Sequence, residues 1–303
     1  MFNFNKSNIV LMSLNNSNFI SVGIPTYNSS RYLNECIESV ITKNNVDQII
    51  ISDDGSAKDE VVKIENIINL QSNKSHKNID FIRNRNNLGA FQNKLNLIEK
   101  SKNDFIYILD SDNIAGNNLD SIISKILTSS NSSNYLYQPN RMYQFYKYSK
   151  IAKLMSKFES KYLVQFLVED TVLNIKDIKN SLILNPGSYN LEDFVDNTDD
   201  LKADINSDFL IDKWIFWVLN CGNFIVNKTK MIEIAKEGAN LDRKLLSIDA
   251  VVFSYLWLNS GNEIKIVEKF FHHHRKRPDS ISFIEKEDSL FATKYFIKSI
   301  LDS

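Results

Sequence analysis

The feature that most constrains the fold of this 303-residue chain is a repeated alternation of strand-type and helix-type segments near its N-terminus. Short runs rich in Ile and Val have the length of buried strands, and they lie at residues 19–24, 46–51, 78–82 and 104–109. Between them apolar residues recur at helical spacing, as at Leu33, Ile37, Val40 and Ile41. Such alternation is typical of a parallel sheet that is covered by helices on both faces.

Polar clusters follow three of these strand-type runs. PTYN lies at 25–28, SDDGS at 52–56 and DSD at 110–112. Ligands of parallel α/β sheets bind outside the carboxyl ends of the strands. The sequence therefore predicts that the three clusters converge on one binding site. Ser29 and Ser30 are expected to cap the helix that follows the first cluster.

The DSD cluster places two carboxylates, Asp110 and Asp112, directly after a buried strand. Neighbouring carboxylates raise each other's pKa unless a cation compensates their charge. Mg²⁺ or Mn²⁺ does so while it keeps coordination positions for phosphate oxygens. The pair therefore favours a metal-chelated diphosphate, and the alternative is a solvated surface turn.

The SDDGS cluster offers a second acidic pair, Asp53 and Asp54, beside a glycine that permits a positive φ. One of these carboxylates is suited to accept a hydrogen bond from a nucleobase, and the alternative is that Asp54 or Ser56 caps a helix. Tyr27 is a candidate to stack on the base or to fill the sheet edge. Since no Gly-rich phosphate loop is present, metal and carboxylates would hold the nucleotide.

Composition excludes several classes of function. The 36 Lys and Arg residues nearly balance the 37 Asp and Glu residues, so no overall field favours nucleic acid as a partner. Cys36 and Cys221 have no metal-type spacing and are expected to be reduced and buried. Neither a signal peptide nor a membrane-spanning stretch is recognisable, which predicts a cytoplasmic protein.

The second half of the chain is less regular. Lysines recur at helical spacing at 147, 150, 153, 157 and 161. This stripe is either a solvated helix face or a contact with an anionic membrane surface or acceptor, the latter placing the protein at the inner face of the membrane. An acidic segment covers residues 191–208. Trp214, Trp217 and Trp257 are candidates to stack on sugar rings, although burial is expected for at least two.

In their order and spacing, the three polar clusters and the NNLGA segment at 86–90 resemble the nucleotide-sugar half of family 2 glycosyltransferases, over about residues 18–125. The resemblance implies an α/β fold of the GT-A type, with a Rossmann-like, mostly parallel sheet, helices on both faces and a C-terminal acceptor-binding helical region. It also implies a polar leader at 1–17, a nucleotide-sugar-binding half at 18–130, and an acceptor-binding and catalytic-base half at 131–303.

The same resemblance implies roles for individual residues. Pro25 and Tyr27 would line the nucleobase pocket, with Asn28 supporting the turn. Asp54 would bind the base edge, with Asp53 beside it. Asn87 and Gly89 would lie near the diphosphate. Asp110, with Ser111 beside it, would face the ribose or the metal, and Asp112 would be the principal metal ligand.

The C-terminal half resembles the family more loosely. Asp249 would be the general base, although Ile248 stands where the family commonly has Glu, and Asp242 is the fallback base. In FHHHRKR, His272 and His274 would complete the metal shell, while Arg275 and Arg277 would stabilise the departing phosphates. The alternative for this segment is an exposed basic loop.

The implied activity is inverting transfer of a sugar from a nucleotide-diphosphate donor, UDP-linked in many members, with Mg²⁺ or Mn²⁺. The acceptor would be a hydroxyl of a glycan or lipid-linked molecule in cell-surface polysaccharide or lipopolysaccharide synthesis. Two alternatives stay open: a nucleotidyltransferase, and an inactive scaffold that binds nucleotide sugars.

Overall fold

A computed structural model of the chain describes residues 18–75, 77–145, 162–182, 189–190, 210–211, 213–238, 240–275 and 286–303. Several sequence predictions lie outside these described residues, namely the leader at 1–17, the lysine stripe at 147–161, the acidic segment at 191–208 and Arg277.

The strands are, in chain order, β1 (Ile20–Thr26), β2 (Val46–Asp53), β3 (Asn78–Arg83), β4 (Phe105–Ile108), β5 (Ile114–Ala115), β6 (Tyr135–Phe145), β7 (Tyr162–Phe166), β8 (Val172–Leu173), β9 (Tyr189–Asn190), β10 (Leu210–Ile211), β11 (Phe224–Asn227) and β12 (Glu263–Arg275). The α-helices are α1 (Ser30–Ile41), α2 (Lys58–Lys74), α3 (Ala90–Lys100), α4 (Leu119–Leu127), α5 (Ile175–Ser181), α6 (Lys213–Leu219), α7 (Lys228–Gly238), α8 (Asp249–Asn259) and α9 (Lys286–Asp302).

One mixed sheet organises the molecule, with the strand order β3-β2-β1-β4-β11-β6-β12-β5. Its first four strands are parallel, as the strand–helix alternation predicts. β11 joins β4 in the antiparallel direction, and β6 and β12 are parallel to each other. β7 and β8 flank β6 and β12, while β9 and β10 pair separately. The polar ends of β1, β2 and β4 therefore lie at one edge, beside strands from the second half of the chain.

Apolar clusters cover the two faces of the sheet, which confirms the predicted layers. One face packs against α1, α2 and α4, with Leu33, Ile64 and Ile123 at its centre. The other face packs against α3 and α6 to α9, with Phe253 and Trp257 fully buried. The indole of Trp257 donates to the Glu263 carbonyl at 2.9 Å, so this tryptophan is a core residue. Cys36 and Cys221 are reduced and buried, as predicted.

The predicted capping by Ser29 or Ser30 is wrong. Ser29 occupies the N-cap position of α1 but makes no side-chain bond to the helix backbone. Its hydroxyl lies 2.7 Å from Thr26 Oγ1 and 2.8 Å from Ser111 Oγ, which draws it to the sheet edge. The amide of Ser30 instead donates to the Glu60 carboxylate of α2. Among the described helices, none is long and apolar enough to span a membrane.

Candidate active site

The turns after β1 and β2 are joined through Asn28. This residue has a φ of 48°, in the left-handed region that Asn tolerates better than most residues. Its amide donates to Ser56 Oγ at 2.8 Å, and its side-chain oxygen accepts from the Ala57 amide at 3.0 Å. Asn28 thus links the two turns, while Pro25 pairs with Ser52 and Tyr27 is exposed.

Asp54 holds the loop that precedes α3. Its carboxylate accepts from the backbone amides of Leu88 and Gly89 at 2.9 and 3.0 Å, and from the Asn84 side chain at 3.1 Å. The alternative that Asp54 or Ser56 caps α2 is wrong, because that helix begins after Ala57 and has no side-chain cap. The Asp54 carboxylate therefore holds the backbone at Gly89 in place, and its implied contact with a base edge stays a prediction.

Three further features fix this loop. Gly55 has a φ of 78°, and a Cβ there would lie 2.9 Å from backbone atoms of Asn86 and Asn87. The Asn87 side chain accepts from the Gly89 amide at 3.1 Å. Asp53 is fully buried and accepts from the Ser56 amide at 3.2 Å. The turn after β2 and the loop before α3 therefore form one unit.

The DSD turn after β4 is held from both sides. The Asp110 amide donates to Asn223 Oδ1 at 2.9 Å, and the Asp110 carbonyl accepts from the Asn113 amide at 2.9 Å. The contact between Ser111 and Ser29 ties the turn to the end of β1. Asp112 is largely buried, and its carbonyl accepts from Arg275 Nε at 3.2 Å.

A lysine that the sequence reasoning missed lies at the centre of the site. Lys94 Nζ is 2.8 Å from Asp110 Oδ1 and 2.6 Å from Asp249 Oδ2. It also donates to the Gly222 carbonyl at 3.3 Å. The Lys94 side chain is only 4% exposed, against 31% for Asp110 and 18% for Asp249. Two carboxylates with separately implied roles therefore share one buried ammonium.

The electrostatics of this cluster keep Lys94 charged. Burial acts to lower the pKa of Lys94, but the charges and hydrogen bonds of Asp110 and Asp249 outweigh it and raise that pKa above its ordinary value. Asp249 is the first residue of α8, where the helix dipole favours a negative charge. The fallback base, Asp242, is exposed and accepts from the Lys244 amide at 2.8 Å.

Alternate residues of β12 serve opposite faces of the sheet. His272 is 3% exposed, and its Nε2 lies 3.3 Å from the Asn223 side chain that holds Asp110. Burial, followed by the charges of His274 and His273, lowers the pKa of His272 to about 3. His273 instead packs against Tyr143 and Phe271 on the other face.

Arg275 is buried next to the DSD turn. Its guanidinium lies 2.5 Å from the Glu35 carboxylate and stacks over the Tyr32 ring at 4.7 Å. Its amide donates to Asn113 Oδ1 at 3.2 Å. These contacts, with that to the Asp112 carbonyl, make it a support of the turn.

The carboxylates of the DSD turn suit a hard divalent cation. Mg²⁺ prefers oxygen ligands and is commonly held by one or two carboxylates together with substrate phosphates. Asp110 and Asp112 supply that donor type. Within the part of the chain that the structure describes, no three His, Cys, Asp or Glu side chains group as a complete protein-only metal site. Asp110 and Asp112 would hold such an ion together with the phosphates of a substrate.

Known proteins resemble the chain in sequence and in fold. Residues 21–167 match the family model described as glycosyl transferase family 2. Glycosyltransferase GlyG of Streptococcus pneumoniae serotype 4 is 36% identical over 105 residues, which are 34% of this chain and 33% of GlyG. The match thus spans about a third of that relative.

Solved structures share the fold over most of the chain. The S. aureus TarS 1–349 complex with UDP has a TM-score of 0.50 and 14% sequence identity, covering 92% of this chain and 64% of the TarS chain. TarS 1–349 alone gives the same TM-score and identity, with 93% and 68% covered. At this identity the likeness concerns the fold, and it supports the GT-A architecture that the sequence predicts.

Proposed function

We propose that the chain is an inverting glycosyltransferase, because its residues 21–167 match the family model described as glycosyl transferase family 2. The donor is a nucleotide-diphosphate sugar, and the acceptor is a hydroxyl of a glycan or lipid-linked molecule of the cell surface. The observation that carries the proposal is the shared contact of Asp110 and Asp249 with Lys94. Through this contact, the end of β4, where the donor is proposed to bind, is connected with Asp249, the proposed general base at the start of α8.

The donor is proposed to lie over the ends of β1, β2 and β4. Tyr27 is exposed there and offers a ring for the base. Asp54, with Asp53 beside it, is the proposed partner of the base edge, and the loop carrying Asn87 and Gly89 is proposed to lie close to the diphosphate. UDP is the proposed nucleotide, which accords with the UDP complex of the similarly folded TarS.

Asp249 is the proposed general base. Its carboxylate is partly exposed at the start of α8 and lies 2.6 Å from Lys94 Nζ. It takes the proton of the acceptor hydroxyl as that oxygen attacks the anomeric carbon from the face opposite the leaving diphosphate. The transition state has oxocarbenium character, as in glycoside hydrolysis.

Asp110 and Asp112 are the proposed holders of Mg²⁺ or Mn²⁺, with His272 and His274 as further ligand candidates. The ion, when bound, neutralises charge that develops on the departing diphosphate. Arg275 keeps the backbone of Asp112 in place through its Nε contact. We also predict that Arg277 contacts a phosphate and that the lysine stripe at 147–161 contacts a membrane surface. Location at the cytoplasmic side of the membrane is a further prediction.

Thermal unfolding with a panel of nucleotide diphosphates and Mn²⁺ tests the proposal. A ligand at about 100 times its Kd stabilises the folded state by about 3 kcal/mol, which is a readily measured rise in Tm. We expect UDP to raise the Tm only when Mn²⁺ is present. A panel that raises the Tm nowhere would contradict donor binding and would favour the alternative of a scaffold.

A further inference from the structure

Lys94 contacts two carboxylates that face opposite sides of the proposed reaction, Asp110 on the donor side and Asp249 on the acceptor side. We propose that Lys94 couples these two carboxylates. When one of them engages a ligand, the ammonium group of Lys94 holds the other more firmly. The identity of the two sides rests on the proposed function, whereas the coupling itself does not.

Lys94 Nζ has three oxygen neighbours within 3.3 Å. An ammonium group has three N–H donors, and its acceptors here are Asp110, Asp249 and the Gly222 carbonyl. Since the side chain is almost fully buried, water is a poor substitute for any of them. Gly222 closes the cluster, because a Cβ there would lie 2.9 Å from Asp110 Oδ2. The ammonium therefore depends on having at least one carboxylate.

The charges of the cluster make the two carboxylates partly redundant. One ammonium faces two carboxylates, so either carboxylate can lose its charge while Lys94 keeps a counter-ion. Loss of both charges leaves a buried ammonium without compensation, which is strongly unfavourable. Substitutions at the two positions must then be non-additive, which is the signature of residues in one network.

This arrangement predicts an order of binding in which the donor comes before the acceptor. Asp110 is the more exposed carboxylate and must loosen from Lys94 to engage a donor. When it does, the ammonium is left to Asp249 and holds that carboxylate at the start of α8. Donor binding thereby fixes Asp249 before the acceptor arrives. Lys94 is in this sense a positioning residue that acts through both aspartates.

Equilibrium urea unfolding tests the coupling without reference to any ligand. The variants are Asp110→Asn, Asp249→Asn and their combination, each with and without Lys94→Met. With Lys94 in place, we expect the combination to lose clearly more stability than the two single changes together. With Lys94→Met, each Asp→Asn change is expected to raise the urea midpoint, because two carboxylates then face each other without a cation.

Additive effects in the Lys94 background would overturn the proposal, and this arm remains decisive if Lys94→Met fails to fold. Lys100→Met is the matched control, because Lys100 lies exposed near the end of the same helix. It is expected to leave the non-additivity of the two aspartates unchanged.

Calorimetric titration of UDP with Mn²⁺ tests the consequence for the donor. Asp249→Asn leaves Asp110 as the remaining carboxylate of Lys94, so we expect UDP to bind about fivefold more weakly or worse. In the Lys94→Met background, adding Asp249→Asn is expected to cause no further change in UDP affinity. An equal effect in both backgrounds would contradict the coupling. If the unsubstituted protein binds no UDP, the proposed donor is wrong, and the unfolding measurements alone decide the coupling.

Discussion

At the scale of single residues, the site depends on close contacts between charged groups and backbone. Gly222 is the clearest case, since the space that a side chain would need holds Asp110 Oδ2 at 2.9 Å and Lys94 Nζ at 3.4 Å. Both groups are charged, and Lys94 has little room to move because it is buried. A substitution at this position therefore acts on the chemistry of the site before it acts on the fold.

Gly222→Ala is expected to displace the Asp110 carboxylate and to lower donor affinity by about tenfold, which corresponds to about 1.4 kcal/mol. Stability is expected to fall by about 1 kcal/mol, the usual cost of a single substitution. UDP titration and urea unfolding measure the two effects. Unchanged UDP binding would contradict this prediction, because it would show that the Asp110 carboxylate can move away from the new side chain without a loss of donor affinity.

Asp112→Ala is expected to abolish the dependence of UDP binding on Mn²⁺, because the substitution removes the carboxylate that we propose as the principal metal ligand. Titrations with and without Mn²⁺ measure this effect. Asp104→Ala is the matched control, since Asp104 is an exposed carboxylate at the other end of the same strand. Metal-dependent binding that survives Asp112→Ala would place the ion elsewhere.

At the scale of elements, the turn after β2 and the loop before α3 act as one unit. Asp54 reaches across to two amides of that loop, and Gly55 brings the two backbones into contact. The position of α3, and with it that of Lys94, therefore depends on a turn that lies far from it in sequence.

Gly55→Ala is expected to destabilise the protein by about 1–3 kcal/mol, because it combines a strained positive φ with a clash against the loop backbone. Weaker UDP binding should accompany this loss. Gly261→Ala is the control, because Gly261 also has a positive φ, of 76°, but its Cβ would meet nothing within 4 Å. Equal losses of stability in the two variants would mean that the contact with the loop contributes nothing.

The elements also show what the sequence can and cannot predict. Short apolar runs and helical spacing were sufficient to predict β1 to β4 and the helices between them, because each of these patterns is local. Lys94 was missed although it lies on the buried face of α3, one turn from Phe91 and from Ile98. A lysine there is a signal, but its partner Asp249 is distant in sequence and is brought near only by the fold.

At the scale of the whole molecule, one sheet extends from the parallel strands β1 to β4 into the second half of the chain. β11 pairs with β4, and Asn223, just before β11, links His272 on β12 to the Asp110 amide. The DSD turn is therefore supported from two strands, β11 and β12, that are distant from it in sequence. Local patterns give no information on such contacts, so the role of Asn223 was not predicted.

His272 makes stability depend on pH. Its pKa in the folded protein is about 3, below the ordinary value of 6.5, so the unfolded chain takes up a proton at pH values where the folded protein does not. The contribution of His272 to the free energy of unfolding is fully present above about pH 6.5. It is lost as the pH falls towards 3, at about 1.4 kcal/mol per pH unit. Urea unfolding between about pH 7.5 and pH 5 measures this loss.

His272→Gln is the control for that measurement, because glutamine does not titrate in this range. The difference in unfolding free energy between the variant and the unsubstituted protein is expected to shift in favour of the variant as the pH falls below 6.5. A difference that is constant over the range would show that His272 is protonated equally in both states.

The most direct test of the account is donor turnover by Asp249→Asn, followed as UDP release from a UDP-sugar in the presence of Mn²⁺ and an acceptor. Because the variant lacks the proposed general base while β1, β2 and β4 are intact, we expect turnover at saturating donor to fall by about 10²-fold or more. Asp242→Asn, at the exposed alternative base, is expected to keep the rate of the unsubstituted protein. Undiminished turnover in Asp249→Asn would contradict the central claim, and a loss confined to Asp242→Asn would move the base to that residue.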